Sequence, residues 1–110
     1  MENVVKMVAK QMKITPPKLI LTSAKRGHVN FYKKHVFIPE FAYKKMPKAY
    51  TIYYIIHEMV HFRYPNHGYW FKKKEEELLR LWGIEIERAK IYPKRLIENG
   101  EVVYYRKRKV

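Results

Sequence analysis

The chain has 110 residues, 47% of them hydrophobic, and its 24 Lys and Arg against 10 acidic residues leave a formal net charge of +14. That length fits a single domain over residues 1–110 with one core, and the absence of cysteine excludes disulfide staples, thiolate metal sites and a thiol nucleophile together. All ten acidic residues are Glu, Ser23 is the only serine and the four glycines form no phosphate-cradling pattern, so a Ser-His-Asp triad, a calcium loop and the common nucleotide sites lose their signals.

Residues 2–13 set Val4, Val5, Val8 and Met12 at helical spacing among lysines, which predicts a short amphipathic helix ended by Pro16 and Pro17. Runs at 19–23, 28–32 and 35–39 are rich in β-branched and aromatic residues and predict three strands, read as antiparallel. Pro39 ends the third of these and marks His35 to Ile38 as an edge, open to an extended peptide. From Pro47 to Phe62 the sequence is apolar on nearly every face, as a central helix must be, and Tyr64 before Pro65 stops it near Arg63. Asn66 then caps a second helix in which His67, Phe71, Leu78 and Trp82 share a face, with Gly83 as its terminator. Its Lys and Glu run at 72–77 reads as a solvated side. Beyond Gly83 the pattern weakens: 84–93 suits a strand or a helix, Asn99-Gly100 predicts a hairpin, and a helix over 85–97 is the alternative. No apolar run approaches the roughly 18 residues of a membrane span. Charged Glu2, Lys6 and Lys10 do not suit a signal peptide, so a soluble cytoplasmic protein is expected.

Within the central helix lies HEMVH, residues 57–61, followed by His67 after the break. His57 and His61 are four apart, so their rings leave one helix face a turn from each other and can reach one cation. Glu58 is rotated about 100° around the axis, beside such a cation rather than at it, where a carboxylate can act as a base on water without being a ligand. His67 supplies a third donor and leaves a fourth position for water, the arrangement of a catalytic zinc site. Glu75, Glu76, Glu77 and Glu85 are the alternative third ligands. The competing reading makes His57 and His61 core histidines, but burying two imidazoles and a carboxylate on one face without a cation would demand a partner for each. As donors to a developing oxyanion, Tyr69, Tyr53 and His35 are the candidates.

The 57/61/67 spacing also matches metzincins, yet those need a glycine where this chain has Tyr64 and a methionine in a later turn, and no methionine follows Met59. The ending NHGYWF, with His67-Gly68 and then Phe71, resembles the HG-plus-aromatic signature of SprT-like and related zinc peptidases. In length, element order and bareness the chain is similar to the minigluzincins over nearly its whole length. That resemblance implies an α+β fold: a minimal zincin-like domain with a backing helix, a three-stranded mainly antiparallel sheet, an active-site helix, a second ligand-bearing helix and a C-terminal extension. It also implies a zinc-dependent metallopeptidase acting on peptides or proteins. His57, His61 and His67 would hold Zn2+, and Glu58 would be general base and then acid. Residues 84–110 would impose latency by covering the cleft, and pairing of two chains through this segment is a further expectation.

The charge supports a different class of function. A +14 surface with RKRK at 106–109 and ten tyrosines suits a nucleic-acid-binding module, or a peptidase acting on DNA-associated proteins; an evenly solvated Lys-rich surface explains the same charge. Richness in Lys, Glu, Ile and Tyr without cysteine is the composition of heat-adapted proteins.

Overall fold

The computed structural model describes residues 1–106, and the last three residues of the basic run, 107–109, lie outside them with Val110. The first helix, α1 (Glu2–Met12), closes at Lys13, whose left-handed backbone (φ 57°) turns its N–H back onto the carbonyl of Lys10. The chain therefore leaves the helix before Pro16. Three short strands follow, β1 (Lys18–Thr22), β2 (His28–Asn30) and β3 (His35–Pro39), then a short helix α2 (Glu40–Lys44) that the sequence reading missed.

The sheet runs β1-β3-β2, with β1 parallel to β3 and β2 antiparallel to it. The sheet is thus mixed rather than mainly antiparallel, and His35 to Ile38 forms its central strand rather than an edge. Pro39 misled because it stands at the last ladder position and is also the N-cap of α2, so its missing N–H interrupts no interior pairing. Val36 and Ile38 are fully buried under the helices, as a central strand requires.

The central helix is α3 (Lys48–Val60), capped by Pro47. It packs against α1, α2, β3 and the following helix, which is why Ile52, Ile55, Ile56, Met59 and Val60 are all buried. Full burial of each such side chain stabilises by about 1.5–3 kcal/mol. Thr51 Oγ1 donates to the Ala42 carbonyl at 2.6 Å, tying α2 to α3, and Arg63 Nη2 donates to the Met12 carbonyl at 2.6 Å, tying the end of α3 to the end of α1.

Gly68, not Asn66, is the N-cap of α4 (Tyr69–Arg80), and Gly83 follows its last turn at φ 70°. Among the described residues after Gly83, β4 (Ile84–Arg88), β5 (Pro93–Glu98) and β6 (Glu101–Tyr105) form an antiparallel meander, which discards the helix over 85–97. Asn99 and Gly100 both have positive φ, 51° and 87°, as the two-residue hairpin between β5 and β6 demands. This second sheet is no loose appendix. Ile84 and Leu96 are part of the core, and β5 and β6 both pack on α3. Among the described residues no helix is long and apolar enough to cross a membrane.

Candidate metal centre

His57 lies in the last turn of α3, and His61 is that helix's C-cap. The break at Tyr64-Pro65 turns the chain, and extended Gly68 (ψ −165°) starts α4 only at Tyr69. His67 therefore sits in the loop before α4, not on a second ligand-bearing helix. The loop nonetheless brings its imidazole to the other two: one ligand atom from each of His57, His61 and His67 lies within 4.8 Å of the others, a group that could hold a metal ion. Ring centroids are 5.2 Å apart for His57–His61, 5.0 Å for His57–His67 and 4.7 Å for His61–His67. All three rest on the buried Phe71 ring, at 5.0, 4.7 and 4.9 Å.

Hydrogen bonds behind the rings decide which nitrogen faces the centre. His57 Nδ1 donates to Glu75 Oε2 at 2.7 Å, and His61 Nδ1 donates to the Tyr64 carbonyl at 3.2 Å. A nitrogen that donates to an oxygen carries the ring proton, so in both residues Nε2 keeps its lone pair. His67 Nε2 comes to 3.2 Å from His57 Nε2. Burial, with the neighbouring His57 imidazole as the second cause, holds both His61 and His67 below the ordinary imidazole range, which favours the neutral form that binds metals. This donor set fits a divalent transition metal.

Glu58 is 6% exposed and lines the same cleft as the three histidines. Burial pushes its carboxyl up to about 7, against a downward pull from His57 and with a smaller upward push from Glu75. Gly27 makes room beside it: a Cβ there would fall 2.5 Å from the Phe37 carbonyl, 2.7 Å from the Tyr54 ring and 3.2 Å from Glu58 Oε2. The Gly27 N–H donates to the Tyr54 hydroxyl at 3.0 Å. Only glycine lets the 25–27 loop lie this close to the carboxylate.

The cleft, about 490 Å³, is lined besides these groups by Lys25, Arg26 and Gly27, by Tyr50, Tyr53 and Tyr54 of α3, and by Tyr92, Pro93, Tyr104 and Arg106 of the C-terminal region. Of the three candidate oxyanion donors only Tyr53 is brought in, its hydroxyl 3.5 Å from His57 Nδ1. Tyr69 is 62% exposed, against Trp70 at the start of α4, and His35 packs on Phe37 in β3; neither lines the cleft.

Arg88 escaped the sequence reading, and Glu75 entered it only as an alternative third ligand. Glu75, placed there on a solvated face, is 0% exposed. It is engaged with His57 Nδ1 rather than the metal position, and Glu76, Glu77 and Glu85 lie outside the metal-binding group, in which His67 is the third member. Arg88 of β4 holds the far oxygen of Glu75, Nη1 to Oε1 at 2.6 Å. The one available signal was spacing, since Phe71, Glu75, Leu78 and Leu79 share the buried side of α4.

No family model matches the chain, and no curated protein matches it. Among solved structures, the crystal structure of the metallopeptidase zymogen of Pyrococcus abyssi abylysin matches with a TM-score of 0.58 and 17% sequence identity, over 69% of this chain and 76% of that one. The likeness is one of fold. An α+β fold similar to that of a metallopeptidase zymogen thus carries three histidines that could hold a metal ion.

Proposed function

We propose that the chain is a zinc-dependent peptidase in which His57, His61 and His67 hold the ion and Glu58 is the general base and then the general acid. The observation that carries this reading is the convergence of three imidazoles beside a buried carboxylate in one open cleft. A zinc ion held there supplies Lewis-acid chemistry, acidifying water and polarising a peptide carbonyl. Glu58 takes the proton of the attacking water and delivers it to the departing amine. Its raised affinity for protons suits both halves of that task.

With β3 central, the edges are β1 and β2, and β2 (His28–Asn30) is the one that continues from Gly27 in the lining of the cleft. Main-chain pairing there would lay a peptide past Glu58. The likeness to a zymogen's fold and the position of Tyr92, whose ring is 5.7 Å from His57 and 6.2 Å from His67, support a restraining role for residues 84–110. Tyr92→Ala is accordingly expected to raise kcat/KM on a short peptide, and an unchanged or lower value in a folded variant would remove the restraint from the proposal.

The main test is metal exchange. The purified protein, wild type and Tyr92→Ala, is expected to carry near-stoichiometric zinc and to cleave an unstructured protein substrate. Exhaustive chelation should stop the cleavage and added zinc should restore it. Cleavage that survives chelation sinks the reading.

A further inference from the structure

The three histidines and Glu58 come from the first two thirds of the chain, but the group that steadies them does not. Glu75 is a fully buried carboxylate whose two oxygens have separate duties. Oε2 accepts the His57 Nδ1 proton at 2.7 Å, and Oε1 accepts from Arg88 Nη1 at 2.6 Å. Besides the imidazole, Arg88 is the cation paired with Glu75 among the described residues. Arg88 is itself fixed from several sides: Nη1 also donates to the Ile91 carbonyl at 3.0 Å, and Nη2 donates to the Lys72 carbonyl at 3.2 Å and to Glu76 Oε2 at 3.3 Å.

We infer that Arg88 is a positioning residue of the metal centre, acting through Glu75 to fix the His57 ring, and that the C-terminal sheet is therefore part of the centre as well as a wall of its cleft. This rests on the proposed metal site. The physical reason is that a carboxylate sealed from water cannot keep its place with an imidazole as its sole partner. Deprived of the guanidinium, it turns toward solvent, and His57 loses the bond that aims Nε2. Carboxylates and their partners behind a metal-bound histidine typically contribute 10–100-fold to metal affinity. Only a planar fork reaches two carboxylates and two carbonyls at once, so lysine replaces the charge but not the geometry. A device that restrains the cleft through residues 84–110 must then leave β4 in place, because taking β4 away takes Arg88 with it.

The test measures zinc affinity of the full-length chain by competition with a chromophoric chelator. Arg88→Met is expected to weaken binding by about 10–100-fold, and Arg88→Lys by less. Leu96→Ala, a core change in the same sheet, should lower the melting temperature while leaving the affinity of the folded protein intact. The decisive measurement is a cycle with Glu75→Gln: if Arg88 acts through Glu75, adding Arg88→Met or Arg88→Lys to Glu75→Gln costs no further affinity. Wild-type affinity in folded Arg88→Met or Arg88→Lys overturns the inference, and so does full additivity in the cycle. A wild-type chain that binds no zinc overturns the metal site itself, and this inference with it.

Discussion

Glu58→Gln is expected to lower kcat for peptide cleavage by about 10²–10⁴-fold, the range that a positioned acid and base contribute, while zinc content stays at the wild-type level. Glutamine keeps the volume and planar shape of the side chain, so the tight fit against Gly27 and Tyr54 survives. What it removes is the ability to accept a proton and return it. The carboxylate is not among the three groups that meet at the metal position, which is why metal retention should separate from turnover. Parallel measurement of kcat and bound metal checks both halves. A variant that still cleaves at the wild-type rate would take Glu58 out of the chemistry.

His67→Ala should act on the other quantity. Two imidazoles from one helix end remain, but the ion loses the donor that closes the site from the loop. Metal affinity is expected to fall by more than the roughly 10–100-fold that loss of a group behind a ligand costs, and activity should fall with it. Glu75 cannot step in, because both of its oxygens are already engaged. Metal analysis of His67→Ala beside the wild type decides the matter: an unchanged affinity would assign the third position to another side chain.

The sequence made the local features of this protein legible and hid those created by distant partners. HEMVH at the end of the apolar central helix and the Asn99-Gly100 hairpin are short-range patterns and stand where they were expected, while the helix ends at Val60, ahead of the stop near Arg63 that Tyr64-Pro65 suggested. Glu75 was concealed in a Lys and Glu run whose composition suits solvent. Its burial depends on His57, 18 residues before it, and Arg88, 13 residues after it. Strand order failed for a similar reason. Alternation identifies a strand but does not name its neighbour, and β1 reaches β3 across the intervening β2. The position of His67 was inferred from the pattern of α4 continued backwards, and the extended Gly68 interrupts it.

Phe71 gives the histidine cluster a dry floor, with a benzene ring where oxygen donors would otherwise stand. Magnesium and calcium, which require shells of six or more oxygens, find too few there. Among first-row divalent ions, nitrogen donors discriminate mainly along the Irving–Williams series, in which copper outranks zinc. A metal held by these three histidines would thus be selected against alkaline earths by the pocket, whereas the choice between zinc and its transition-metal competitors would fall to cellular supply. A chain folded in copper-rich medium should emerge carrying copper.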